Sequence, residues 1–468
     1  MCRCDTIDPV RAVLPLLLIA APALAQTAGE EFRVYADHPR LYLTQQRLRL
    51  LKRERDRDSM RWRQFALLVR AAAEMPEPGF AYALFYAVTG DTEMGQRAVA
   101  WATGPGNNVR QLALVYDWCQ PLLKPAQSKA LAAKIHRLID QKPAESIEAR
   151  RDRVLATIAL ADDTHPEETL LKESVEQWWR KDVGPKLEDG RIMAAPYELF
   201  ALAEILHAVR DNIKIDLRLD APDYFKELPK YQVLANYPAP LAAPENEYRI
   251  PVYKGAGQPD VDQAALARAA GLSMVAYDNN ALENQYLQGW LIQDRFMLQG
   301  TFGAPYEFMW ANPYQPGLSY FQLPILYHDA HSGALFLRSN WEDDAVWFGL
   351  YQGEAQLFQD GRATVLNRSG PLPPNPKPIA VGDSSVLLGR NPMQFTMDGG
   401  ITLVIGLKPH HKYLIEIDDE ELEESEADNV GTLVIEYPAD RTVGVHIQEA
   451  DNGSSATYPG AGASGQQP

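Results

Sequence analysis

Aromatic rings and side-chain amides stand close together between residues 310 and 320. The segment contains Trp310, Asn312, Tyr314 and Tyr320. Aromatic rings suit the apolar faces of sugars, and amide groups suit their hydroxyl edges. These four residues therefore predict a sugar-binding surface. The alternative is that the rings only pack two parts of the chain together.

Histidine is sparse, and the common catalytic motifs are missing from the sequence. Local histidine groups occur at residues 328–331 and 410–411, and either group would need a further ligand from elsewhere to hold a metal. The chain has no phosphate-loop motif, no HExxH, no paired CxxC and no GxSxG nucleophile elbow. We therefore expect no metal and no cofactor.

The chain is acidic and has the composition of a folded protein. Its 468 residues include 62 Asp plus Glu against 45 Lys plus Arg, which gives a formal charge of −17. This charge opposes binding to nucleic acid and to anionic membranes. A hydrophobic content of 46% is typical of a globular chain. We therefore expect no nucleic-acid partner.

The first 25 residues predict export. Residues 12–25 are apolar and end in Ala23, Leu24 and Ala25, a pattern that signal peptidase cleaves. The segment is too short to span a membrane, and no later stretch is long enough. The sequence predicts a signal peptide over residues 1–25 and a secreted or periplasmic mature protein. The mature chain keeps one cysteine, Cys119, which we expect in the core.

Hydrophobic periodicity divides the mature chain into two parts. From about residue 38 to residue 300 the apolar period is close to 3.6, and prolines such as Pro125 and Pro196 precede helical windows. Past about His331 the period becomes two, with short runs of β-branched and aromatic residues. Residues 220–259 are rich in proline and tyrosine and predict a long ordered loop.

These periods predict a multidomain α+β chain. The expected parts are a helical domain over residues 26–330, an antiparallel β-sandwich over residues 331–450 and a disordered tail over residues 451–468. A crevice between the two domains is the expected ligand site.

Three short segments carry a resemblance to a known family. They are residues 38–43 (HPRLYL), 112–118 (LALVYDW) and 336–341 (FLRSNW). These segments resemble the heparinase II/III-like polysaccharide lyases, and the resemblance extends over nearly the whole mature chain. It implies an incomplete α/α toroid followed by a β-sandwich, and β-elimination from uronic-acid polymers.

The lyase reaction needs a group that neutralises the sugar carboxylate, a base and an acid. The resemblance implies that Tyr197, directly after Pro196, serves as base and acid. Where the family carries Asn or His on an early helix, this chain reads Arg-Arg-Asp-Arg at residues 150–153. Arg151 and Arg153 are therefore the candidates for neutralising the carboxylate. A solvated helix start is the alternative for the arginines, and a packed ring is the alternative for Tyr197.

The metal-binding pattern of the family is degenerate in this chain. Family members carry His-x-His-x-Asp ahead of an Arg-x-Gly-Pro-Leu segment, which occurs here at residues 368–372. The three upstream positions hold Gln356, Phe358 and Asp360. Because phenylalanine cannot ligate zinc, we expect no metal there. Gln356 and Asp360 remain candidate substrate-binding residues.

We therefore predict an exported heparinase II/III-like protein that acts on or binds an acidic, uronate-containing polysaccharide, by β-elimination if it is active. One alternative is a non-catalytic carbohydrate-binding or scaffold protein on the same fold. Another is a glycoside hydrolase that uses paired carboxylates, for which Asp117, Glu198 and Glu307 are available.

Overall fold

The computed structural model of this protein describes most of the chain between residues 31 and 450. The described ranges are 31–34, 37–141, 146–162, 166–190, 194–366, 377–389, 393–398, 400–418, 421–437 and 441–450. Three predictions lie outside these residues: the leader at 1–25, the tail at 451–468 and the segment at 368–372.

Short helices make up the first part of the chain. They are α1 (Gln45–Asp56), α2 (Met60–Arg70), α3 (Pro78–Thr89), α4 (Thr92–Thr103), α5 (Val109–Trp118), α6 (Pro125–Asp140), α7 (Ile147–Leu160), α8 (Pro166–Lys172), α9 (Gly184–Glu188), α10 (Glu198–Ile213), α11 (Pro222–Leu234), α12 (Val261–Tyr277), α13 (Leu282–Leu291) and α14 (Gly300–Trp310). A π-helical stretch, Glu173–Val183, joins α8 to α9. Proline occupies the first position of α3, α6 and α11, where the missing N–H would have no partner within the helix.

Helices that are not adjacent in sequence contact one another in a closed order, which we call the helix ring. In this order α3 contacts α5, α5 contacts α7, α7 contacts α10, α10 contacts α12 and α12 contacts α14. The order closes because α14 contacts both α2 and α3. Intervening helices pack against the ring, with α4 against α3 and α5, α6 against α5 and α7, and α13 against α12.

Strands dominate from residue 326 onward, after one early hairpin. They are β1 (Leu241–Ala242), β2 (Glu247–Tyr248), β3 (Leu326–His328), β4 (Leu335–Arg338), β5 (Trp347–Tyr351), β6 (Glu354–Gln359), β7 (Arg362–Val365), β8 (Ile379–Val381), β9 (Ser384–Leu388), β10 (Met393–Met397), β11 (Gly400–Ile405), β12 (Lys412–Ile417), β13 (Glu421–Glu426), β14 (Thr432–Tyr437) and β15 (Val443–Glu449). A helical region followed by a strand-rich region confirms the predicted α+β class.

The later strands form three sheets. One is the meander β3-β4-β5-β6-β7, and the other two have the orders β14-β11-β9-β8 and β10-β15-β12-β13. The pairing is antiparallel except between β9 and β11, which run parallel. The parallel pair arises because β10, the strand between them in sequence, belongs to the other sheet. The prediction of an entirely antiparallel module is therefore wrong at this pair.

One side of the meander sheet belongs to the hydrophobic core of the helices, and two further cores lie among the strands. Helix α11 packs against β3 and β4. The ring of Tyr231 lies 5.6 Å from that of Tyr327 and 5.7 Å from that of Phe336. The indole N–H of Trp347 donates to the carbonyl of Leu234 at 2.9 Å. These contacts fix the position of the meander sheet against the helices.

The prediction of a long loop over residues 220–259 is wrong in part. The segment contains α11 and the β1–β2 hairpin. Pro229 lies inside α11 and interrupts the apolar period that would otherwise reveal a helix. Among the described residues, no helix has the length and apolar character needed to cross a membrane.

Candidate functional site

Tyr197 lies in a crevice where the start of α10 meets the strand-rich region. The crevice, which we call the Tyr197 crevice, has a volume of about 300 Å³. The carboxylate of Glu198 accepts a hydrogen bond of 2.7 Å from the backbone N–H of Ala195, which fixes the turn that carries Tyr197. The other polar or aromatic lining residues are Tyr253, Lys254, Gln258, Asp260, Gln263, Tyr351 and Gln352.

The hydroxyl of Tyr197 stays protonated at neutral pH. Burial raises the pKa of Tyr197, and the carboxylates of Glu198 and Glu148 raise it further. The side chain is half-buried and lines the crevice. It can donate a hydrogen bond or a proton to a ligand, whereas a general base would need a pKa closer to the working pH.

Arg151 is held inside the helix ring by two carboxylates. Its guanidinium donates to Glu204 at 3.2 Å and to Asp152 at 3.0 and 2.8 Å. Arg153, further along α7, is half-buried, and its carbonyl accepts a 2.8 Å bond from the hydroxyl of Thr157. Among the described residues, neither arginine belongs to the lining of the Tyr197 crevice. The structure therefore does not bring the three predicted catalytic residues into one cavity.

Trp310 and Asn312 line a second, larger space at the other end of α10. This space has a volume of about 660 Å³, and we call it the arginine groove. Four arginines line it with them, together with one aspartate and the start of α1: Arg47, Arg49, Arg53, Arg210, Asp211, Thr44, Gln45 and Gln46.

The aromatic segment contributes a wall and a rim to the arginine groove. Trp310 is 1% exposed, and its ring packs 4.8 Å from His207 and 5.4 Å from Tyr42. Tyr314 is 37% exposed and carries the guanidinium of Arg53 at 4.1 Å from its ring centroid. The side-chain oxygen of Asn312 accepts a 3.3 Å bond from the Tyr314 N–H. Three of the predicted sugar-binding residues therefore lie together, with Tyr314 as the exposed ring.

The remaining predicted binding residues lie elsewhere. Tyr320 is 7% exposed, accepts a 2.7 Å bond from Gln293 and packs against Trp341. Gln356 is fully buried, accepts from the hydroxyl of Tyr237 at 2.6 Å and donates to the carbonyl of Tyr253 at 2.7 Å.

Gln356 thus supports the backbone of Tyr253, one wall of the Tyr197 crevice, from within the core. Asp360 is exposed in the turn between β6 and β7, at a positive φ of 53°. Such a backbone angle is typical of Asp in a tight hairpin.

All three candidate hydrolase carboxylates have structural partners, and two of them are buried. Asp117 is 1% exposed and accepts bonds of 2.9 and 2.8 Å from the N–H groups of Arg40 and Leu41. Glu307 is 1% exposed and lies between Arg268 at 2.7 Å and Arg61 at 3.3 Å. Glu198 alone lies beside a crevice.

The histidine groups form carboxylate pairs. His328 lies 3.0 Å from Asp428, and His411 lies 2.6 Å from Glu449. Within the described ranges, no group of three or more His, Cys, Asp or Glu side chains is arranged to hold a metal ion. Cys119 is buried, as expected for a core position.

Sequence reasoning missed the arginines of α1 as possible ligand contacts. Arg49 and Arg53 are four residues apart and share a helix face, Arg47 lies two residues before Arg49, and the first turn of α1 has no acidic residue. That pattern is unusual, because a helix N-terminus already carries partial positive charge. In a chain with a net negative charge, this basic helix start can be recognised from the sequence alone.

Comparison with known proteins gives distant structural matches. No protein-family model matches the chain, and no curated protein sequence matches it. The chain is similar to a structure described as a glycoside hydrolase, with 9% identity, a TM-score of 0.30, and coverage of 80% of this chain and 71% of that one. It is also similar to a GH127 β-arabinofuranosidase, with 8% identity, a TM-score of 0.29, and coverage of 89% and 80%.

Proposed function

We propose that this chain is an exported carbohydrate-active protein that binds an acidic, uronate-containing polysaccharide in the Tyr197 crevice. The observation that carries the proposal is the half-buried Tyr197 side chain, set among aromatic, amide, lysine and aspartate side chains between the helical and strand-rich regions. Rings and amides suit sugar faces and hydroxyls, and Lys254 can pair with a uronate carboxylate.

The architecture behind this proposal is an α/α toroid followed by a β-sandwich. The closed contact order of the helix ring supports the toroid. The three sheets of the strand-rich region agree with a sandwich in their strand content and in their mostly antiparallel pairing. The crevice then lies where a polymer can reach both regions.

Two features favour binding without turnover over β-elimination. The raised pKa of Tyr197, which burial and two neighbouring glutamates cause, suits a proton donor rather than a base. Arg151, one of the two candidates for neutralising the sugar carboxylate, is engaged by Glu204 and Asp152, and neither Arg151 nor Arg153 lines the crevice. Within this proposal, Tyr197 holds the ligand by donating a hydrogen bond.

Calorimetry on the mature chain with polygalacturonate, alginate, heparin, hyaluronan and a neutral glucan tests the proposal. We expect binding of at least one acidic polymer, and a loss of about 3- to 10-fold in affinity for Tyr197→Phe, since one hydrogen bond contributes about 0.5–1.5 kcal/mol. Tyr286→Phe, on α13 away from the crevice, serves as the matched control. Equal affinity of wild type and Tyr197→Phe for every polymer that binds contradicts the assignment to this crevice.

The same samples test for catalysis. Absorbance of an unsaturated uronate reports elimination, and new reducing ends without that absorbance report hydrolysis. We expect neither signal. An absorbance increase that Tyr197→Phe abolishes would replace the binding proposal with a lyase.

A further inference from the structure

The arginine groove lies far from the Tyr197 crevice. Tyr197 directly precedes α10, and Arg210 lies thirteen residues later in the same helix, which separates them by about 20 Å along the axis. The groove has more than twice the volume of the crevice, about 660 Å³ against about 300 Å³. Its size is that of an ordinary small-molecule site.

The lining of the arginine groove is strongly basic in a chain that is acidic overall. Four arginines and one aspartate line it, while the whole chain carries a formal charge of −17. The aspartate, Asp211, is already bound by Arg210 at 3.1 Å. The charges of Arg47, Arg49 and Arg53 therefore dominate the groove.

Arg47 has few partners of its own for a half-buried arginine. Its guanidinium donates one long bond of 3.4 Å to the carbonyl of Trp310 and lies 5.6 Å from the centre of that ring. In the described part of the chain no carboxylate forms an ion pair with it. A guanidinium has five N–H donors, so most of its hydrogen-bonding capacity faces the groove. Burial lowers the pKa of Arg47 to about 10, with Asp211 opposing that shift, so the group remains charged at neutral pH.

One buried polar atom in the wall also lacks a partner. The indole N–H of Trp310 makes no hydrogen bond with the described residues, although the residue is only 1% exposed. Buried polar groups are normally satisfied, and an unsatisfied one carries a cost. Trp310 belongs to the lining of the groove. Tyr42 also lines the groove, but its hydroxyl lies near the ion cluster of Glu204, Arg110 and Arg151.

The start of α1 adds to the positive potential. Thr44, Gln45 and Gln46 line the groove, and the first turn of the helix contains no acidic residue. Backbone N–H groups at a helix N-terminus attract oxyanions. Together with the arginines, this end of α1 gives the groove donors from both side chains and backbone.

We infer that the arginine groove is a second ligand site, which binds an organic anion through its carboxylate, sulfate or phosphate oxygens. The oxyanion contacts Arg47 and Arg49 at the start of α1. The remainder of the ligand lies along Asn312, with Arg53 and the exposed ring of Tyr314 at the rim. This inference does not depend on the proposed function, because its residues lie at the other end of α10.

Calorimetric titration of the full mature chain with defined anions tests the inference. The probes are trigalacturonate, a sulfated disaccharide and inorganic phosphate, and a neutral galactose oligomer is the uncharged control. The variants are Arg49→Glu combined with Arg53→Glu, which changes exposed or rim side chains, and Arg47→Met, which keeps the length of the buried stem. Arg97→Glu, an exposed arginine on α4, is the matched charge control.

We expect at least one anion to bind, with a loss of about 10- to 100-fold in affinity for each groove variant and none for Arg97→Glu. Raising the salt concentration should weaken binding in the wild type more than in the variants. Binding of phosphate alone, lost in the groove variants, would support the site and identify a free oxyanion as its ligand.

Two outcomes would overturn the inference. One is the absence of binding by every anion to a folded wild-type chain. The other is binding that the groove variants retain and that Tyr197→Phe removes, which would assign the anion to the Tyr197 crevice. Thermal unfolding of each variant verifies that the fold is intact in every comparison.

Discussion

Two clusters of arginine in this molecule differ in how fully their charges are paired. At the centre of the helix ring, Arg110 donates to Glu204 at 2.8 Å and to Glu77 at 3.3 Å. Arg151 donates to the same Glu204 at 3.2 Å. In the arginine groove, Arg47 has a single bond of 3.4 Å to a carbonyl.

The difference separates structural arginines from candidate ligand contacts. Arg110 is 3% exposed, and burial alone would lower its pKa; the carboxylates of Glu204 and Glu77 more than reverse that effect. Its charge is therefore compensated within the protein. Arg47 is also desolvated but lacks such carboxylates, and an external oxyanion can supply the missing compensation.

The largest expected effect follows from removing the shared carboxylate at the ring centre. Glu204→Gln leaves Arg110 and Arg151 buried with one charged partner fewer each. We expect the free energy of unfolding at pH 7 to fall by about 3–5 kcal/mol, the usual cost of breaking a buried ion pair. Urea unfolding followed by circular dichroism measures it.

Glu93→Gln is the control for this measurement, because Glu93 pairs with Arg97 on the exposed face of α4. We expect a change below about 0.5 kcal/mol there. Equal losses in the two variants would remove the distinction between the ring centre and the surface.

A smaller effect concerns His207, which lies between the two clusters. Its Nε2–H donates to the carbonyl of Ser273 at 2.9 Å, and its ring packs on Trp310. Burial lowers the pKa of His207 to about 3, with Arg210 and Arg47 adding to the shift and the Ser273 bond opposing it. His207 is therefore neutral in the folded protein, and the charge of the groove belongs to its arginines.

Because the folded pKa lies below the ordinary value of about 6.5, the unfolded chain takes up the proton first as pH falls. The associated stability is complete above pH 6.5 and is lost progressively toward pH 3. We expect a loss of about 2 kcal/mol between pH 7 and pH 5 in the wild type and a clearly smaller loss in His207→Phe. Parallel pH profiles of unfolding free energy for the two proteins would contradict this assignment.

Local patterns predicted much of the fold. The period of two expected past about His331 corresponds to β4, β5 and the strands that follow, and the proline expected to open a helix at residue 125 is the first residue of α6. These elements have a clear period or a fixed end signal. At Pro196 the helix instead begins two residues later, after a turn that carries Tyr197.

A strand without a periodic apolar pattern was not predicted from the sequence. β13 consists mostly of acidic residues, and it forms the edge of its sheet, where Glu424 pairs with Lys412 at 2.5 Å. A charged edge strand lacks the apolar alternation that reveals a half-buried strand. The alternation that predicts the strand-rich region therefore does not extend to β13.

Sequence patterns also fail to predict contacts between site residues that are far apart in the sequence. Trp310, Asn312 and Tyr314 are neighbours in sequence, and their grouping could be predicted. The bond between Arg110 and Glu204 joins residues 94 positions apart, and only the closed order of the helices brings them together. For this reason the sequence could not show that Arg151 pairs with Glu204. Nor could it show that Arg47 has no carboxylate partner among the described residues.

The smallest expected effect on stability is that of Arg47→Met. It is also the most direct test of the difference between the two arginine clusters. Arg47→Met removes a half-buried charge that lacks a carboxylate partner and keeps an apolar stem against Trp310. Replacing a poorly compensated buried ion with a hydrophobic side chain of similar size is often neutral or stabilising. We expect the free energy of unfolding, without added ligand, to change by less than about 1 kcal/mol or to rise.

The matched variant is Arg110→Met, for which the same substitution at the ring centre leaves Glu204 and Glu77 with fewer partners and should cost about 3–5 kcal/mol. The two variants change the same side chain to the same residue, so the difference between them measures what the carboxylates contribute. A loss for Arg47→Met as large as that for Arg110→Met would mean that Arg47 stabilises the fold, and the groove would then lose its main reason to be a ligand site.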